Sequence, residues 1–213
     1  EKYLADKEMN IYLSIVPDKS YFLAEKHGYL STDYEKLFYV MRNHMNYADY
    51  IDITGTLDIT DYYKTDTHWR QEKLPDTAAV LAEGMGTSIS GAYTEYALDV
   101  PFYGVYYGQS ALPLPPETLY YLSNDALDDF LSGPRSLITI ENPNCESDKE
   151  LVIFRDSFGS SIAPLLSEGY AKITLVDIRY LRADLLERFI EFKNQDVLFL
   201  YSTSVLNHSE TLT

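Results

Sequence analysis

The chain alternates short apolar runs with amphipathic stretches, and two periods can be told apart. Ile11–Val16 is a strand candidate stopped by Pro17 and Asp18. Thr32, with Glu35 three residues on, fits a capping box. Behind it Leu37, Met41 and Met45 recur every four residues, which predicts a helix with one buried face. Tyr50–Ile53 reads as a second short strand closed by Gly55. Leu74, Ala78, Leu81 and Met85 again have helical spacing, with Pro75 in the first turn and Gly84 and Gly86 at the end.

Residues 92–140 carry short β-like runs at Tyr93–Leu98, Phe102–Tyr107, Leu119–Leu122 and Leu137–Ile140, separated by Pro, Gly, Asn and Asp. They predict a small β-rich insertion packed on the main sheet, with a tight turn or bulge near Gly104 and Gly108. The last third is cleaner. Leu151–Phe154, Ile173–Val176 and Val197–Tyr201 are apolar throughout. Between them, Ser160–Glu168 is helix-like, and Leu181, Leu185, Phe189 and Phe192 predict one face of a helix. Strand, helix, strand, helix, strand with continuous apolar strands means a mostly parallel sheet covered on both faces. In such α/β sheets the ligand crevice lies beyond the carboxyl ends of the strands.

The length of 213 residues predicts a single domain over residues 1–213. A chain of that size buries roughly 70% of its unfolded surface and needs no staples. Lys plus Arg total 17 against 33 for Asp plus Glu, a net charge of −16. That charge argues against nucleic acid and against anionic membrane surfaces as partners. Cys145 is the one cysteine, so an internal disulfide and a cysteine-based zinc site are both excluded. No apolar run nears the roughly 20 residues of a membrane span. The chain opens at Glu1, and its first ten residues read like the interior of a helix, so a truncated N-terminus is expected. Lack of a targeting segment therefore says little about compartment. The 20 tyrosines lean toward carbohydrate-handling and extracellular proteins.

The crevice rule selects candidates. Past the parallel strands come Arg155, Asp156 and Ser157; Asp177 and Arg179; and Tyr201, Ser202 and Thr203. The segment after Tyr50–Ile53 leads to Asp66-Thr67-His68-Trp69. A serine, a histidine and carboxylates at one edge are the ingredients of acyl transfer. Ser157 falls between a buried strand and a helix start, where free N–H groups and the dipole favour an oxyanion. The alternative is that Ser157 or Ser160 caps the helix. Asp66 can reach the His68 Nδ1, fixing the tautomer and leaving Nε2 as a base, with Trp69 shielding the ring. The alternative there is a structural loop histidine. His27, His44 and His208 have no carboxylate at a similar offset beside a strand end. An Asp66–His68 zinc site lacks an evident third ligand, so neither metal nor cofactor is expected.

Asp66-Thr67-His68-Trp69, followed by Asp156-Ser157-Phe158-Gly159, resembles the DHHW proteins. These stand with the alginate O-acetylation proteins in the SGNH hydrolase-like superfamily. Val16–Lys19 and Ile173–Arg179 are similar too, and the resemblance runs from about Ile11 to the C-terminus. It implies a three-layer α/β/α flavodoxin-like fold and a triad of Ser157, His68 and Asp66, in the permuted order of the alginate proteins. The implied activity is transfer or hydrolysis of O-acetyl groups on a surface polysaccharide, through an acetyl-serine. The implied setting is extracytoplasmic, in the cell envelope or secreted, with an acetylated sugar as substrate and a membrane partner as acetyl donor. Water as acceptor would make an esterase, and a sugar hydroxyl a transferase. Arg179 is a candidate for binding substrate or aiming charge at the oxyanion, or else for a salt bridge to Asp177 or Asp156. Tyr201 and Trp69 are further candidates for the substrate site, with core packing as the alternative for the tyrosine. The chain departs from the family in lacking a carbohydrate-binding module and in its acidity, which suits a neutral or amino-sugar glycan better than alginate. The competing reading is a catalytically inactive glycan-binding or envelope-assembly module with the same fold.

Overall fold

A computed structural model of the chain describes residues 9–111, 113–123 and 136–208. The helical reading of the first eight residues lies outside these. The main sheet takes the strands β1 (Ile11–Val16), β2 (Asp49–Tyr50), β5 (Leu137–Glu141), β6 (Glu150–Arg155), β7 (Lys172–Val176) and β8 (Asp196–Ser202) in the order β2-β1-β8-β6-β7-β5. All neighbours are parallel except β5, which runs antiparallel to β7 at the edge. The four central strands are buried at nearly every position. That double burial is why their sequences are apolar runs and not alternations.

Alternation decides only which layer each side chain enters. Val16, Leu151, Ile153, Ile173, Leu198 and Leu200 face one layer, which holds α3 (Pro75–Gly84) and α5 (Gly159–Leu166). Leu13, Ile15, Val152, Phe154, Val176 and Val197 face the other, which holds α2 (Tyr34–His44) and a 3-10 turn at Ala183–Arg188. The fold is thus three-layer α/β/α. The expected helix around 181–192 tightens to that 3-10 turn, and it buries Leu186, Ile190 and Phe192 while Phe189 stays 58% exposed. The α2 cap is Asp33, one residue after Thr32, and its carboxylate accepts the Lys36 N–H at 3.0 Å. The second strand shrinks to two residues, because Ile51 turns away after one ladder bond to Leu13 and a 3-10 turn follows at Thr54–Thr56.

The insertion departs from its reading in three ways. β3 (Thr94–Phe102) and β4 (Glu117–Ser123) form an antiparallel ribbon separate from the main sheet, with a register shift between Ala97 and Pro101. Leu137–Glu141 leaves the insertion to become the sheet's edge strand. Phe102–Tyr107 is not a strand beyond Phe102; it breaks at Gly104 into the short helix α4 (Val105–Ser110). A lone two-stranded ribbon is marginal in water. This one is secured by contacts to the loop between β2 and α3, and that loop carries the histidine.

Candidate active site

Ser157 sits on the turn between β6 and α5, at the carboxyl edge of the sheet. The turn is built by Asp156, which is fully buried. One of its carboxylate oxygens accepts the Phe158 N–H at 3.0 Å and the other the Ser202 N–H at 2.8 Å. The end of β6 is thereby tied to the end of β8. Gly159 lies flat on the buried Arg155 side chain, and a Cβ there would come within 2.6 Å of the Arg155 Cβ. No side chain caps α5, so the capping role weighed for Ser157 and Ser160 is not the one they take. Instead the Ser157 hydroxyl lies 2.7 Å from the His68 Nε2. Its own N–H has no acceptor among the described residues.

His68 is presented by a tight loop. Tyr62 and Trp69 form a bridge, and the Tyr63 N–H donates to the His68 carbonyl at 3.1 Å. Inside the loop one Asp66 oxygen, Oδ1, accepts both the His68 backbone N–H at 2.9 Å and the ring Nδ1 at 2.6 Å. The other, Oδ2, accepts the Val105 N–H at 2.9 Å. Burial alone would raise the Asp66 pKa. The bonds from the His68 ring, the Val105 N–H and the His68 N–H outweigh it and bring the carboxyl down to about 2. An ionised Asp66 keeps the proton on Nδ1, so Nε2 faces the Ser157 hydroxyl as an acceptor.

Two charged side chains hold this loop from opposite sides. Glu117 of β4 accepts the Lys64 N–H at 2.9 Å and both the N–H and hydroxyl of Thr65 at 2.7 Å. Lys19, the first residue of the short helix α1 (Lys19–Leu23) that follows β1, donates to the carbonyls of Tyr63 at 2.8 Å, Asp66 at 3.2 Å and Lys64 at 3.4 Å, with its ammonium 4.9 Å from the Tyr106 ring centre. α4 completes the grip. Gly104 packs so closely that a Cβ would fall 2.1 Å from the Thr65 carbonyl oxygen, and the Tyr106 N–H donates to that oxygen at 3.0 Å.

The fold assigns a place to each remaining candidate. Trp69 is 1% exposed; its indole donates to the Phe158 carbonyl at 3.2 Å, and Phe158 in turn packs on the His68 ring at 5.0 Å. The tryptophan thus braces the two motifs against each other. Arg179 is engaged by Asp177 through two bonds of 2.9 and 2.6 Å, the salt-bridge alternative, with Arg155 3.5 Å from the same carboxylate. Tyr201 is 4% exposed in the core, where burial pushes its phenol pKa up, so it offers no face for a sugar. Among the described residues no group of three His, Cys, Asp or Glu could hold a metal ion, and none of the helices there is long and apolar enough to cross a membrane.

A cavity of about 250 Å³ opens beside Asp66 and His68, under the ribbon. A larger one, about 420 Å³, lies against Lys149, Glu150 and Lys193 and touches none of Ser157, His68 or Asp66. Sequence reasoning read Gly104 only as a turn or bulge, and it missed Glu117 and Val105. Nothing local marks them, because their partners lie about 40 to 50 residues away. Lys19 was visible only as part of the Val16–Lys19 likeness.

No family model matches the chain, and no curated protein matches it. Solved structures do. The chain is similar to a DHHW family protein from Eubacterium siraeum, with a TM-score of 0.76 at 19% identity, covering 97% of this chain and 82% of that one. It is similar to PatB1 of Bacillus cereus, with a TM-score of 0.76 at 18% identity over 96% of this chain and 86% of that one; PatB1 has also been solved with a sulfonyl adduct. It is similar to the O-acetyltransferase domain of Pseudomonas putida AlgJ, with a TM-score of 0.57 at 15% identity over 93% and 76%. The fold is therefore SGNH-like, and the likeness in fold falls on the same proteins as the likeness in motif.

Proposed function

We propose that this chain is a serine-dependent carbohydrate O-acetyltransferase or acetylesterase. The observation that carries the reading is the continuous relay from Asp66 through the His68 ring to the Ser157 hydroxyl, at 2.6 and 2.7 Å. In the first half-reaction the His68 Nε2 takes the hydroxyl proton as the Ser157 Oγ attacks the acetyl carbonyl carbon. The free Ser157 N–H donates to the oxygen that becomes negative. Collapse breaks the ester bond, the departing alcohol takes the proton from the His68 Nε2, and acetyl-serine remains. In the second half-reaction an incoming hydroxyl gives its proton to the His68 Nε2 and attacks the acetyl-serine carbonyl carbon; the bond to the Ser157 Oγ then breaks, and His68 returns the proton to that oxygen. With a sugar as acceptor the product is a new acetyl ester; with water it is acetate. Asp66 stays ionised throughout and stabilises the imidazolium.

The neighbours' fold and AlgJ's description as an O-acetyltransferase domain support the acetyl chemistry. The sulfonyl adduct of PatB1 supports a reactive nucleophile in this fold. The same relationships favour an extracytoplasmic setting and a polysaccharide substrate. A sulfonyl fluoride tests the proposal: it should label Ser157, mapped by peptide mass, and labelling should fail in His68→Ala. Hydrolysis of 4-nitrophenyl acetate should be lost in Ser157→Ala. A folded wild-type protein that neither labels nor hydrolyses would leave the inactive-module reading standing.

A further inference from the structure

The cavity beside the triad is lined by Asp66 and His68 but not by Ser157. That asymmetry locates it in the reaction. The acyl carbon must bond to the Ser157 Oγ, whereas the alcohol oxygen must reach the His68 Nε2 to exchange its proton. A space that meets the base and not the nucleophile is on the alcohol side. Its walls then describe the alcohol. Leu98, Phe102 and Leu119 of the ribbon are apolar, and the half-buried Tyr120 adds an aromatic face. Among the described residues no lysine or arginine lines it, and Asp66 is a buried anion. The Gln71 amide is spent at both ends, on the Ser161 carbonyl at 3.0 Å and the Leu122 N–H at 3.2 Å. Neutral hydroxyls of Ser160 and Ser161 complete the lining.

Building on the acyl-serine reading, we infer that this cavity is the alcohol-side subsite and that it takes an uncharged sugar residue, excluding uronates. The C–H face of a neutral pyranose packs on Tyr120 and Phe102, and its hydroxyls meet Ser160 and Ser161. A uronate would bring a carboxylate among apolar walls, near Asp66 and with no cation to pair with among the described lining residues. The overall charge of −16 also repels uronates, but from a distance, and salt separates the two effects.

The chain's one tryptophan, Trp69, lines the cavity and reports binding directly. Ser157→Ala protein is titrated with unacetylated xylo-, gluco- and chito-oligosaccharides and with oligomannuronate, following tryptophan fluorescence. In parallel, wild-type protein is assayed on O-acetylated members of both classes and on 4-nitrophenyl acetate. A neutral oligosaccharide is expected to bind and react at least ~10-fold better than the uronate. The gap should persist in 1 M salt, where the Debye length is about 3 Å. Leu98→Lys, which adds a cation at a wall position already 37% exposed, should narrow it at least threefold; Leu119→Lys is the substitute if that protein misfolds. Equal handling of the uronate overturns the inference, as does a gap that vanishes in high salt, indifference of the gap to both lysines, or no binding of any neutral oligosaccharide. Loss of labelling and of 4-nitrophenyl acetate turnover in folded wild type would instead defeat the triad, and the fluorescence titration would still decide the subsite.

Discussion

Asp66→Asn tests the chemistry and the energetics of the site at once. The carboxylate is nearly buried and accepts three bonds, two on Oδ1 and one on Oδ2. A carboxyl held near 2 instead of 3.8 stabilises the folded chain by about 2 kcal/mol at neutral pH. Because the folded pKa is the lower one, this contribution is complete above the unfolded value and is lost as the pH falls toward 2. About half should remain at pH 3. The amide cannot reproduce the three bonds. With its oxygen toward His68, its NH2 opposes the Val105 N–H, and the imidazole keeps its tautomer. With its NH2 toward His68, Val105 is satisfied, but the NH2 opposes the His68 backbone N–H and donates to Nδ1. The proton then moves to Nε2, and the base is lost. Each arrangement leaves one N–H donor opposed, so both are populated, and turnover should fall by between ~10² and 10⁴.

Urea denaturation of wild type and variant at pH 7 and pH 3, beside steady-state hydrolysis of 4-nitrophenyl acetate, gives both numbers. The expected stability gap is about 2 kcal/mol at pH 7 and about 1 kcal/mol at pH 3. Equal stability at pH 7, a gap of constant size across pH, or an Asn variant with wild-type turnover would each refute the reasoning.

Other perturbations follow from the loop's supports. Glu117→Ala removes an anion that accepts three donors from Lys64 and Thr65, and it should cost about 2–3 kcal/mol in urea melts and lower kcat more than it raises KM. The Glu117 carboxyl is also held low; burial works against this, and the Thr65 hydroxyl with the Lys64 and Thr65 N–H groups outweighs it. The Glu117→Ala deficit should therefore shrink as acid protonates the wild-type carboxylate, which paired melts at pH 7 and pH 3 will show. Lys19→Met strips the loop carbonyls of their donor and should depress the rate of sulfonyl labelling, with Lys19→Arg restoring part of it. Gly104→Ala sets a methyl against the Thr65 carbonyl, so the backbone must move; a loss of at least 1 kcal/mol in stability, with slower turnover, is expected. Arg179→Ala takes the nearer cation from the buried Asp177, leaving it the backbone N–H of residue 179 at 3.1 Å and Arg155 at 3.5 Å, and should destabilise by about 3 kcal/mol, read as a lowered urea midpoint.

What was legible in the sequence is what depends on short-range pattern and on topology. Continuous apolar strands gave the doubly covered sheet, and the crevice rule then brought Ser157 and the Asp66–His68 pair to one edge although 89 residues separate the serine from the histidine. What was not legible depends on partners chosen in three dimensions. Val105–Tyr107 has the composition of a strand, yet the Val105 and Tyr106 N–H groups are taken by Asp66 and the Thr65 carbonyl, and Gly104 alone permits the approach; tertiary contact overrides propensity. Arg179 and Tyr201 stand just past strands in the sequence, as crevice residues should. Asp177 claims the arginine, and the alternation of β8 turns the tyrosine ring into the layer beneath. The same logic accounts for the ribbon. Its exposed residues look dispensable one at a time, but through Glu117, Val105 and Gln71 it orders the loop on which the base stands and closes the cavity beside it. On the proposed function, a β-rich insertion that supports the Asp66–His68 loop on one side and walls the cavity on the other is where specificity can change without disturbing the relay.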